Sequence, residues 1–147
     1  MGQDMGYRGA GHSLNIEFDT FQNGANKDPD SNHIGVNLHG NSASVSTVKA
    51  PVILNDGKLY HAWVDYDGDQ HLLEIRLSSS AERPKEPLLA HTLDLTDALN
   101  SDVFVGFTSA TGGFRQQHEI HSFFFHNELI SEGIDTSAME YSMELGQ

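Results

Sequence analysis

The chain has 147 residues, one domain by length, with 21 acidic side chains against 8 Lys and Arg and a formal net charge of −13. That balance excludes nucleic acid and anionic membrane surfaces as partners, because both need basic patches. With no cysteine there is neither a disulfide frame nor a thiolate zinc site, and no apolar run approaches the roughly 20 residues that would span a bilayer. Residues 1–15 are polar and Gly-rich and do not form a signal peptide, so any export signal has been removed or lies outside this sequence. The pattern then predicts short strands at 15–21, 33–39, 44–48 and 52–54, with Asn55-Asp-Gly57 as a turn. Residues 59–66 alternate, with Tyr60, Ala62, Val64 and Tyr66 against His61, Trp63 and Asp65. Asp67-Gly-Asp69 turns the chain, and 71–77 returns as the second arm of a hairpin. After a polar loop at 78–87, strands are predicted at 88–95, 103–109 and 119–126, with a short helical turn at 97–100 capped by Thr96. Many short strands spaced by turn signals predict an all-β sandwich. The acidic stretch 128–147 reads as a tail or linker after a domain spanning 1–127.

The chemistry concentrates between residues 15 and 35, in Asn15-Ile-Glu-Phe-Asp-Thr-Phe-Gln-Asn-Gly-Ala-Asn-Lys-Asp-Pro-Asp-Ser-Asn-His-Ile-Gly35. Glu17 and Asp19 are two apart, so on a strand they share one face, while Ile16 and Phe18 point the other way into a core. Two carboxylates on one face repel each other unless something positive lies between them. Residues 23–32 are rich in Asn, Asp, Gly and Pro and should loop back, bringing Asp28 and His33 to the same charges. Oxygen donors with an amide, as from Asn23, suit calcium, and a His with carboxylates suits a transition metal such as manganese. Any two of these residues would fit an acidic strand edge and a solvated loop; all five in this order favour a metal centre. The remaining histidines are scattered, and His118 and His121, three apart on a strand, would face opposite ways.

The segment Glu17 to Gly35 resembles, without a gap, the signature of the L-type lectins, the family of the legume seed lectins and concanavalin A: an acidic strand, then Asn, Asp-Pro and His-Ile-Gly. The resemblance continues through Tyr60–Tyr66 and Leu73-Glu-Ile-Arg-Leu77, through Phe104-Val-Gly-Phe-Thr-Ser-Ala-Thr-Gly-Gly-Phe114, and through His118-Glu-Ile-His-Ser-Phe-Phe-Phe125, where Phe123 stands for a usual Trp. It covers roughly residues 6–127 and implies a concanavalin A-like jelly-roll sandwich of flat antiparallel sheets. It also implies roles. Glu17 and His33 would bind the transition metal, Asp19 and Asp28 would bridge it to calcium, and the Phe21 carbonyl and Asn23 side chain would complete the calcium shell. A Ser should reach the transition metal through water, yet Ala43 occupies the gapless position, between Ser42 and Ser44.

The same resemblance places a sugar beside the calcium. The amide of Asn23 would donate to a sugar hydroxyl, the ring of Phe21 would offer an apolar face, and the N–H groups of Gly113 and Phe114 would bond ring oxygens. Gly2 matches a loop glycine that also touches sugar. The family's strands ahead of the metal motif, and an Asp there preceded by a cis peptide, have no counterpart in this sequence. The chain is therefore expected to be an incomplete or split copy of the domain, associating with a missing N-terminal segment or with another copy of itself. Its expected role is a secreted or cell-surface module that binds glycans with calcium and manganese and has no catalytic activity. The alternatives are a glycoside hydrolase of related fold and a calcium-stabilised adhesion module without a sugar site. The hydrolase needs two carboxylates across the scissile bond, and Phe21 and Gln22 stand where the second would be.

Overall fold

Alternation decides where strands form, and six of them do in the computed structural model, which describes residues 5–113 and 115–127. Strands β1 (Leu14–Asp19), β2 (His33–Leu38) and β3 (Ser46–Lys49) make one antiparallel sheet in the order β1-β2-β3. Strands β4 (His61–Asp67), β5 (Leu72–Ser78) and β6 (Leu89–Thr92) make the second, in the order β4-β5-β6. All six belong to the first of two units, Met1–Gln116 and Gln117–Gln147. The β4–β5 turn is closed by the Asp67 carboxylate, which accepts the N–H groups of Gln70 and Asp69, each at 3.0 Å. Those donors, with the Gln70 amide, hold the Asp67 carboxyl below its usual range.

The register fixes which face each side chain takes. Ile16 pairs with Val36 and Phe18 with Ile34, whereas Glu17 pairs with Gly35 and Asp19 with His33. Ile34 and Val36 are fully buried and pack with Leu73, Ile75 and Leu77 of β5 and Leu89 of β6, while Ile16, Phe18 and Val48 close the margin of this core. The opposite face of β1 and β2 is not open to water either. Glu17, Asp19, His33 and Asn37 on it are all buried, so this sheet has an apolar core on one side and a polar one on the other.

Several elements differ from the pattern-based expectation, each for a physical reason. Residues 52–54 form no strand, because the side chain of Asn32 takes up their backbone instead: Nδ2 donates to the Val52 carbonyl at 2.7 Å and Oδ1 accepts the Leu54 N–H at 3.0 Å. The strand expected over 88–95 ends at Thr92, where Asp94 turns the chain by accepting the Thr96 N–H at 2.9 Å. The expected helical turn is a single bend on Leu95, whose carbonyl accepts from Ala98 and Leu99 at 3.1 and 3.0 Å. Residues 103–109 and 119–126 carry no strand. A strand exists only where a neighbour pairs its backbone, and 103–109 runs with Val103, Phe104, Val105 and Phe107 exposed. In β4, Val64 and Tyr66 are registered with Ile75 and Leu73 on the core side yet remain exposed, because the buried cluster draws on β2, β5 and β6. The region 128–147 and its boundary with the domain lie outside the described residues.

Candidate metal centre

The polar face of β1 and β2 gathers three possible ligands. One oxygen each of Glu17 and Asp28 and one nitrogen of His33 lie within 4.8 Å of one another. His33 Nε2 stands 3.7 Å from Glu17 Oε1 and 3.8 Å from Asp28 Oδ1. Two ligands on one ion at bond lengths of about 2.1 Å are at most about 4.2 Å apart, so both of these separations are compatible with sharing an ion. The antiparallel register of β1 on β2 sets Asp19 and Glu17 opposite His33 and Gly35, and the intervening loop supplies Asp28.

That loop is built by its own carboxylates. Asp19 Oδ1 accepts the Phe21 N–H at 2.7 Å and turns the chain out of β1. Asp28 Oδ2 accepts the Asn23 N–H at 2.6 Å, around a single 3-10 turn at Gly24–Asn26. Lys27 closes the turn in the left-handed region at φ 63°. Each Asp therefore spends one oxygen on the loop, and Asp28 keeps Oδ1 for the cluster. Asp19 is buried beside the trio. Burial pushes its carboxyl above the ordinary range, the Phe21 N–H and His33 oppose this, and Glu17 and Asp28 add to it.

His33 is the side chain that fits a metal most directly. Its ring is fully buried, and Nδ1 lies 2.9 Å from the Asp30 carbonyl. A carbonyl only accepts, so Nδ1 is the donor in that contact, and Nε2 is the ring nitrogen that faces the two carboxylates. Nε2 has no hydrogen-bond partner. A buried imidazole nitrogen without a partner, between two buried carboxylate oxygens, matches the donor set for a divalent transition metal.

Residues that the sequence pattern did not single out complete the surroundings. Tyr7 Oη donates to Glu17 Oε2 at 2.9 Å, Asn37 Nδ2 donates to the same oxygen at 2.8 Å, and Asn37 Nδ2 also contacts the Tyr7 hydroxyl. Burial first, then the Glu17 charge, pushes the Tyr7 hydroxyl far above its ordinary pKa, so it stays a donor. Between the two candidate serines the structure separates the roles: Ser44 Oγ donates to Glu17 Oε1 at 2.8 Å, while Ser42 Oγ donates to Asn26 Oδ1 at 3.2 Å. Only the position of Asn37, two residues beyond Gly35 on the polar face, could have flagged it in the sequence; Tyr7 gives no such signal.

The residues expected to meet sugar are distributed differently. Asn23 is buried at 8 %, and Phe21, just past the end of β1, is 58 % exposed. Gly113 is exposed, with no atom beyond its chain neighbours within 4 Å of where a side chain would begin. Phe114 and Gly2 lie outside the described residues.

A two-sheet antiparallel sandwich with a carboxylate–imidazole cluster on its β1–β2 face defines the class of protein, and the comparisons specify it. The legume lectin domain family matches residues 4–140. This chain belongs to that family. It is 36 % identical over 131 residues to L-type lectin-domain containing receptor kinase VII.1 of Arabidopsis thaliana, covering 82 % of this chain and 19 % of that protein. It is 33 % identical over 139 residues to receptor kinase V.9 of the same plant, covering 87 % of this chain and 21 % of that protein. The chain thus spans about a fifth of the length of these relatives. A solved structure of peanut lectin with a nine-residue peptide superposes with a TM-score of 0.54 at 26 % identity, covering 67 % of this chain and 41 % of that one. The fold is accordingly the concanavalin A-like jelly-roll sandwich.

Proposed function

We propose that this chain is a carbohydrate-binding domain that depends on calcium and a transition-metal ion and performs no catalysis. The observation that carries the reading is the unpartnered Nε2 of buried His33, 3.7 and 3.8 Å from the oxygens of Glu17 and Asp28. Glu17 and His33 would hold the transition metal. Asp19 and Asp28 would be shared with calcium, together with the Phe21 carbonyl and the Asn23 side chain. When bound, the ions supply the positive charge that lets three buried carboxylates stand side by side.

The chain's own residues do the rest. Asp19 and Asp28 hold the 21–28 loop by their N–H contacts, so the loop shape is tied to the same carboxylates that would hold the ions. Asn23 would give its side-chain carbonyl oxygen to calcium, which would leave its NH2 to donate to a sugar hydroxyl. The exposed ring of Phe21 gives a glycan an apolar surface, and Gly113 and Phe114 would add backbone donors. The relatives are named as lectin-domain receptor kinases, which supports a place at the cell surface or outside the cell. A further segment or a second copy covering the exposed apolar residues of 103–107 and β4 belongs to the same reading.

The test is a glycan array probed in calcium and manganese and again after chelation. Binding that disappears with chelator is expected. Binding that survives chelation removes the metal dependence, and no binding to any glycan by chain shown to be metal-loaded removes the lectin reading.

A further inference from the structure

Glu17 accepts hydrogen bonds from three side chains in the polar core, Tyr7, Asn37 and Ser44. Its Oε2 accepts from both Tyr7 and Asn37, so its lone pairs are occupied, whereas Oε1 accepts from Ser44 alone and is the oxygen turned toward His33. The two donors on Oε2 come from independent parts of the chain. Asn37 is fully buried in β2, and its Oδ1 has no partner. The amide therefore faces Glu17 with its donor end at the expense of its acceptor; turned over, it would set oxygen against oxygen. Tyr7 comes from the turn ahead of β1 and is itself buried. That turn is braced: Thr108 Oγ1 donates to the Met5 carbonyl at 2.7 Å, Ala10 N–H bonds the Tyr7 carbonyl at 3.1 Å, and Gly9 N–H bonds the Gly40 carbonyl at 3.4 Å. Gly6, at φ 81°, lies so close to Thr108 that a Cβ there would stand 3.1 Å from the Thr108 Cβ.

We propose that Tyr7 and Asn37 are positioning residues that restrict Glu17 to one metal-facing oxygen and thereby set the preference of this site for a transition-metal ion over calcium. The inference rests on the reading that Glu17, Asp28 and His33 hold a metal. Calcium gathers six to eight oxygens and readily takes a carboxylate through both of them, whereas transition metals accept fewer ligands and favour imidazole. A Glu17 confined to Oε1 beside His33 Nε2 offers the second kind of shell. Removing the donors on Oε2 frees the carboxylate to rotate and to bind through both oxygens, which helps calcium and harms the transition metal.

The experiment is calorimetric titration of the full chain with Mn2+ and, separately, Ca2+, for wild type, Tyr7→Phe, Asn37→Ala and His33→Ala, with the metal-free melting temperature of each. Loss of a hydrogen-bonding partner behind a ligand typically weakens metal binding about 10- to 100-fold. Tyr7→Phe and Asn37→Ala should lose Mn2+ affinity in that range, keep or gain Ca2+ affinity, and so lower the Mn2+/Ca2+ ratio. Tyr7→Phe keeps the ring packing, so it decides the matter alone if Asn37→Ala does not fold. Mn2+ affinity within about twofold of wild type in Tyr7→Phe, with His33→Ala abolishing binding, overturns the positioning role and leaves the metal site standing. Equal losses for both ions with a lowered metal-free melting temperature reduce Tyr7 to a packing residue and also overturn it. Wild-type Mn2+ binding by His33→Ala removes the underlying site and this inference with it.

Discussion

Gly35 shows how a single residue sets the site. It lies opposite Glu17 on the polar face of the sheet, and a Cβ there would run into the Glu17 carboxylate and stand 2.5 Å from Ser44 Oγ. The backbone of Gly35 is not in the left-handed region, so the requirement is for space and not for conformation. Gly35→Ala should push Glu17 away from His33 and Ser44, because the carboxylate end can move and the strand cannot. We expect a loss of metal affinity, read by titration, and a stability loss in the range of about 1–3 kcal/mol typical of overpacking, read by denaturant melts. Unchanged metal affinity would show that Glu17 reaches its position by another route. In the sequence the Gly of His-Ile-Gly could be seen as part of a motif. The reason for it could not, because the clash is with a residue 18 positions earlier.

At the scale of elements, the legible part was the set of strands with strong alternation and neighbours to pair with. β1, β2, β4 and β5 lie within one or two residues of where alternation put them. The elements that alternation misjudged are those whose backbone partner was of another kind. Val52 to Leu54 is held by one side chain, Asn32, and 103–109 has the composition of a strand without a ladder. The two sheets share one buried cluster, Ile34 and Val36 of β2 with Leu73, Ile75 and Leu77 of β5 and Leu89 of β6. Ile75 is fully buried at the middle of β5, between Val64 and Leu89 in register. Ile75→Ala should cost about 2–5 kcal/mol of stability, measured by denaturant unfolding. A change under 1 kcal/mol would mean that the contact between sheets matters little to the fold.

On the scale of the whole molecule, the polar core carries a net negative burden that a metal-free chain must bear. Glu17, Asp19 and Asp28 are all buried at 8 % exposure or less, around one histidine. Ions that bind the folded chain and not the unfolded one add RT ln(1 + [L]/Kd), about 2.7 kcal/mol at a hundredfold excess over Kd. Scans in calcium and manganese should therefore give a melting temperature several degrees above scans in chelator, and Asp28→Asn should erase most of the difference. A melting temperature indifferent to chelator in wild type would contradict the metal-centre reading.

By itself the sequence supplied the candidate ligand types and their order. Glu-x-Asp on one strand face, the Asn–Asp loop and the His of His-Ile-Gly follow from spacing and turn chemistry, which are local properties of the chain. The antiparallel sandwich was legible for the same reason. What only the tertiary structure decided is how those groups are held. The contacts of Ser44 with Glu17 and of Ser42 with Asn26, the clamp of Asn32 on Val52 and the grip of Asn37 on Glu17 join residues 16 to 27 positions apart, and Tyr7 and Glu17 are ten apart. Such contacts depend on strand register and on which loop folds over which face, and no local pattern encodes either.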